Sequence, residues 1–151
     1  MQFLKRQAAG FYCSVLVFIL GIVCVALYSA NAATDYYGDT KSVVILMSVI
    51  AVIACLASII FGELAEKSSV LAKVADILAV AVPVLVLIAG MLFLNDRVYS
   101  YAIIYGSDLE NGNTAAQSAA AQSIVAIALY IVTAVIAAVS AFFAMRRDKQ
   151  A

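Results

Sequence analysis

Five tyrosines, Tyr36, Tyr37, Tyr99, Tyr101 and Tyr105, share two polar stretches with Asp35, Asp39, Asp96, Asp108 and Glu110. These are the residues best suited to recognition, because a phenol ring offers a flat apolar face with a polar tip, which suits a protein partner or a stacked sugar. The simpler reading of the same residues is an interfacial aromatic belt beside solvated acids. A sixth tyrosine, Tyr130, lies deep in an apolar run. Its hydroxyl needs a partner there, either Thr133 one turn along or a hydroxyl on another helix, unless it meets a lipid or small ligand. Ser48, Ser58, Thr133 and Ser140 are further hydroxyls within the apolar runs. With Tyr130 they would line a polar pathway if they faced an aqueous lumen, and would be packing residues if they faced other helices.

Other chemistry is excluded by what is missing. The chain has no histidine, which removes the commonest general base, haem ligand and metal ligand together. Cys13, Cys24 and Cys55 show no metal or redox spacing and read as small apolar packing residues, although Cys13 is positioned to accept a lipid chain. No Asp, Glu, Lys or Arg falls near the middle of an apolar run, and such a charge is the usual mark of an ion or proton pathway. No nucleophile with an activating partner is recognisable, so no catalytic residue, cofactor site or metal site is expected, and the chain reads as non-enzymatic. The basic residues near the ends, Lys5, Arg6, Arg146, Arg147 and Lys149, suit anionic headgroups and require no nucleic acid.

The elements that would carry these residues follow from composition. Hydrophobic residues make up 66% of the 151 and charged residues only 12%, about half the ~25% of a soluble domain. A water-soluble core cannot absorb that much apolar side chain, and the mean hydropathy of +1.08 agrees. Long uncharged runs predict an all-α integral membrane four-helix bundle in one domain, with spans about 8–32, 43–62, 74–94 and 115–145. The connections are then 33–42, 63–73 and 95–114.

Each helix is expected to pack along a seam of small or hydroxylated residues. The first seam is Gly10, Ser14, Gly21 and Cys24; the second is Ser48, Ala51, Cys55, Ser58 and Gly62. The fourth runs through Ser123, Ala126, Thr133, Ala137, Ser140 and Ala144. Because the second and fourth stripes are the clearest, spans two and four are the expected close neighbours. In span three, Pro83 removes the N–H that would bond the Ala79 carbonyl, which predicts a bend. Gly90 extends the close-packing surface of that span towards its far end.

Local signals set the ends. Glu63 four residues before Lys67 supports a helical turn leaving the membrane, and Asp76 opens span three at its N-terminus. Alternation at Tyr99, Tyr101 and Ile103 suggests a short extended piece along the interface. Thr114 with Gln117 fits a capping box, from which span four would run ~45 Å to Met145. The Lys5–Arg6 pair, apolar run and Ala30-Asn31-Ala32 resemble a secretory signal, but the run exceeds the ~7–15 residues of a signal core and bears its own packing seam. Lysine and arginine placement puts both termini and the middle connection in the cytoplasm of a plasma membrane protein. Two functions remain: a scaffold or accessory subunit that binds another membrane protein or its own copies within the bilayer, and, as the alternative, a small channel or facilitator assembled as an oligomer.

Overall fold

The computed structural model describes residues 8–65 and 68–143. Four helices account for nearly all of them: α1 (Ala9–Ala32), α2 (Ser42–Leu64), α3 (Ser69–Gly106) and α4 (Thr114–Ser140). All four are long and apolar enough to cross a membrane. Their ends carry local stop and start signals. Gly38 and Gly112 take positive φ angles of 53° and 82° in the connections before α2 and α4, a conformation that Cβ-bearing residues disfavour. Ser68 caps α3 by accepting from the Val70 N–H at 3.3 Å.

The helices form a ring in which α1 packs on α2, α2 on α3, α3 on α4 and α4 back on α1. Successive helices are antiparallel: Ser14 near the start of α1 and Gly62 near the end of α2 line the same cavity, together with Asp76 of early α3 and Ser140 at the end of α4. Spans two and four are therefore diagonal and not close neighbours, contrary to the expectation from their seams. Short connections of an up-down-up-down chain make sequential helices adjacent, and both stripes point at the central axis.

The interior is built from small and polar side chains and the exterior from large aliphatic ones. Ala51, Cys55, Ala89, Ala126, Ser123, Thr133 and Ala137 are buried, while Ile53, Ile77, Val80 and Val125 are each at least 60% exposed. Water would not tolerate that outer surface over four helices, whereas acyl chains solvate it without cost, and thin interior faces let the backbones approach.

Four boundaries depart from the sequence reading. The third helix does not stop at 94 but continues to Gly106, about 57 Å in all at ~1.5 Å per residue, so 95–106 is helix and the connection is 107–113. The supposed extended piece at Tyr99, Tyr101 and Ile103 lies within it. At the other end α3 begins at Ser69, five residues before the expected span, which shortens the connection from α2 to 65–68; Lys67 lies outside the described residues. The cap of α4 is Asn113, whose Oδ1 accepts from the Ala116 N–H at 3.1 Å, and not Thr114. The α4 helix ends at Ser140, short of 145, where Phe142 and Phe143 turn back onto the Val139 and Ser140 carbonyls.

Candidate functional site

Polar residues that the sequence scatters over four helices meet along the bundle axis as a ladder of crosspieces. At the centre, Ser48 Oγ donates to the Val44 carbonyl at 2.8 Å and lies 2.7 Å from the Tyr130 hydroxyl. The serine proton is committed to its own helix, so Tyr130 donates across the axis. Thr133, expected as the tyrosine's partner, instead donates to the Leu129 carbonyl at 2.7 Å and sits 3.7 Å from Cys24 Sγ. Close passage of Tyr130 depends on Gly90, where a Cβ would lie 2.9 Å from the tyrosine Cβ. Phe93 stands edge-on to both Tyr28 and Tyr130, with centroids 4.8 and 6.2 Å away.

Above this level, towards the end that carries the connections 33–41 and 107–113, Tyr28 spans from α1 to the start of α2, where its hydroxyl accepts from the Lys41 N–H at 2.9 Å. Next comes a charged node. Arg97, 3% exposed, donates from Nε to Asn31 Oδ1 at 3.2 Å, and its Nη1 lies 2.9 Å from Asp96 Oδ2. Asn31 in turn donates to the Ala119 carbonyl at 2.8 Å, which ties α1, α3 and α4 together. The guanidinium lies 3.7 Å over the Tyr37 ring and 5.6 Å from that of Phe93. Apart from the ion pair, Arg97 Nη2, Asp96 Oδ2 and the Tyr37 hydroxyl have no hydrogen-bond partner among the described residues.

Beyond Arg97 the helices α3 and α4 continue as a two-helix projection. Ile104, Ala116 and Ala120 form its core, Tyr36 and Tyr101 pack on it, and the Tyr101 hydroxyl is 2.8 Å from Ser123 Oγ. Burial, more than the Glu110 charge and Tyr37 beside it, raises the Tyr36 phenol above its ordinary range. On the surface, the hydrogen bond and charge of Asp39 raise the Lys41 ammonium.

The five tyrosines proposed as one recognition face are thus divided. Tyr37 stacks on Arg97, Tyr36 and Tyr101 are half-buried struts, and only Tyr99 and Tyr105 are exposed, at 76% and 58%. On a helix, residues two apart point to nearly opposite sides, so Tyr99 and Tyr101 cannot share a face. Of the seam residues, Gly10, Ser14, Cys24, Ser48, Ala51, Cys55, Ser58, Gly62, Ala126, Thr133 and Ala137 are buried, and Gly21 and Ser140 are partly so. Ala144 lies outside the described residues. Pro83 sits inside α3, which stays helical through it.

Asn31 and Arg97 are functional candidates that the sequence reading missed. Helical spacing carried the signal: Val82, Val86, Phe93, Arg97 and Ile104 are all buried on α3, so the core face continues through the charged residue.

At the end that carries both chain termini the axis widens into a cavity of about 160 Å³ lined by Ser14, Asp76, Ala79 and Ser140 among others. Between it and Tyr130 lie two voids of about 10 Å³ each, at or below the ~10–15 Å³ that one water requires. The geometry defines a small four-helix bundle of the kind that spans a membrane several times. No protein-family model, curated protein or solved structure matches the chain.

Proposed function

We propose that this protein is a non-enzymatic scaffold or accessory subunit of a membrane complex, seated in the plasma membrane with both termini cytoplasmic. One observation carries the reading. The Tyr130–Ser48 bond crosses the axis at 2.7 Å, and the voids beside it are too small for a hydrated solute, so a single copy offers no route through. Of the hydroxyls that would have lined a pathway, those of Ser48, Tyr130, Thr133 and Ser140 are spent on a helix-to-helix bond or on their own backbones. What is left for interaction is the outside: broad aliphatic faces on four helices, and the projection of α3 and α4 with Tyr99, Tyr105 and Leu109 exposed. Tyrosine at an exposed, rigid helical position is a good anchor for a partner. The orientation rests on the excess of Lys and Arg at the termini end.

A photocrosslinking residue in place of Tyr99, introduced in native membranes, is expected to trap a discrete protein partner. The purified chain in liposomes is expected to pass ions no faster than protein-free vesicles. Flux above that background, lost when Tyr130 or Ser48 is changed, would replace this reading with an oligomeric channel. An impermeant thiol reagent should label a cysteine placed at Leu109 from outside the cell and leave one at Ala65 unlabelled; the reverse would invert the orientation.

A further inference from the structure

The outward side of α3 presents an apolar face that does not stop where the lipid must. The uncharged run from Ile77 to Asn95 spans about 28 Å at ~1.5 Å per residue, close to the ~30 Å of a hydrocarbon core, and Asp96 and Arg97 follow it. Headgroups add only about 5–8 Å on each side. Ala102 and Tyr105, about 10 and 15 Å past Asn95, therefore stand in water. Yet Val98, Ala102 and Tyr105 are exposed, and no exposed residue of α3 from Ile77 to Gly106 is charged. The connection 33–41 covers a different side of the projection, where Tyr36 packs on Ile104, Ala116 and Ala120. An apolar helix face held in water is the mark of a surface that another protein covers.

The spacing fits a helix running alongside. Val84, Met91, Val98 and Tyr105 recur every seven residues and are all exposed, with Leu87 and Ala102 between them. A repeat of seven keeps one stripe turned to a neighbour when two helices supercoil. Beside the stripe, an apolar groove of about 20 Å³ opens between Leu87, Gly90 and Met91 of α3 and Ile127 and Ile131 of α4. It offers a hole for the tip of one side chain, as knobs-into-holes packing requires. We infer that this face joins two copies of the chain, α3 to α3, about a twofold axis along the membrane normal. The inference rests on the scaffold reading and names the partner of its outward surface. A covering partner must be apolar both within the bilayer and for about 15 Å beyond it at the same end. A second copy in the same orientation meets that demand residue for residue. Such a contact sets each residue near the axis against its own copy, where a charge would meet its like, and the face carries none. The same axis makes the two α3 helices parallel, so that the seven-residue stripe faces itself.

The test is disulfide formation between single cysteines placed in the full chain, in native membranes, with Cys13 replaced by serine. Under mild oxidation Val98→Cys, Ala102→Cys and Tyr105→Cys should each give a product of twice the chain mass. Ser118→Cys, exposed on α4, and Ala33→Cys, exposed just after α1, should not. Added to Val98→Cys, Ala102→Lys sets two ammonium groups against each other and should slow the crosslinking about tenfold. Coexpression of Ala102→Lys and Ala102→Asp chains, both carrying Val98→Cys, should restore it, because unlike charges then meet across the axis. Damage to the fold would show no such recovery. No product from any of the three stripe cysteines, or an equal yield from Ser118→Cys and Ala33→Cys, would overturn the proposal. A photocrosslinker at Tyr99 that traps a different protein while the stripe gives no dimer would overturn it and leave the scaffold reading standing. Ion flux from chains that do form these dimers would uphold the dimer and remove the scaffold reading.

Discussion

The hydroxyl of Tyr130 lies 2.7 Å from Ser48 Oγ and so joins α4 to α2, two helices that stand diagonally across the bundle. With the Arg97–Asn31 bond and the Tyr28–Phe93 ring contact across the other diagonal, this bond fixes the width of the interior. Tyr130→Phe is expected to keep the ring in place and lose about 0.5–1.5 kcal/mol of stability. The cost is modest because Ser48 keeps its bond to the Val44 carbonyl. A double-mutant cycle with Ser48→Ala, read by reversible unfolding in detergent, should show the two losses to be strongly non-additive.

Gly90 answers a different demand of the same tyrosine. A Cβ at residue 90 would lie 2.9 Å from the Tyr130 Cβ, an atom fixed to the α4 backbone and unable to swing away. Gly90→Ala should therefore push α3 and α4 apart, at a cost of about 1–3 kcal/mol, despite the better helix propensity of alanine. Tyr130→Phe should not rescue it, since phenylalanine keeps the obstructing atom. Rescue by that change, measured as a recovered unfolding midpoint, would mean that the ring and not the backbone approach sets the requirement.

Arg97 and Asp96 are a buried pair, with side chains 4% and 12% exposed. Removing one member of such a pair leaves the other charge uncompensated, so Arg97→Met should cost about 3–5 kcal/mol. Combined with Asp96→Asn, the loss should be smaller than the sum of the two single losses. Arg97→Lys should not restore stability fully, because an ammonium cannot stack flat on Tyr37 while reaching Asn31. Asn31→Ala cuts the links to both Arg97 and the Ala119 carbonyl, and is expected to release α1 from the α3–α4 projection in hydrogen exchange.

Four apolar helices were legible because lipid demands long uncharged runs, and nothing else in the chain competes with that signal. What was not legible lies where two physical signals conflict. Asp96 and Arg97 look like the start of a solvated connection, and Tyr99 and Tyr101 alternate like a strand, yet the 3.6-residue period of Val82, Val86, Phe93, Arg97 and Ile104 runs straight through them. A charge that looks like a boundary is here a buried member of the core face. The diagonal placement of α2 and α4 was hidden for another reason. A seam shows which face of a helix is inward, but several neighbours share that interior, and only chain connectivity decides which helix lies alongside. The cavity beside Asp76 left no clear trace, since it arises from small side chains on separate helices.

The raised Tyr36 phenol makes the packing of the projection readable by titration. Folding holds this group in its protonated form, so its contribution to stability is fully present below the unfolded value near 10 and is lost as pH rises through the higher folded value. Subtracting the ultraviolet titration of Tyr36→Phe from that of the unsubstituted protein should isolate a phenol ionising later than a free tyrosine. Glu110→Gln removes a nearby negative charge and should lower the midpoint. Much of the elevation should survive that change, because burial is the larger cause and Glu110 the smaller. A midpoint that returned to the ordinary tyrosine value in Glu110→Gln would mean that Tyr36 is held by charge at the surface and not by packing against Ile104, Ala116 and Ala120.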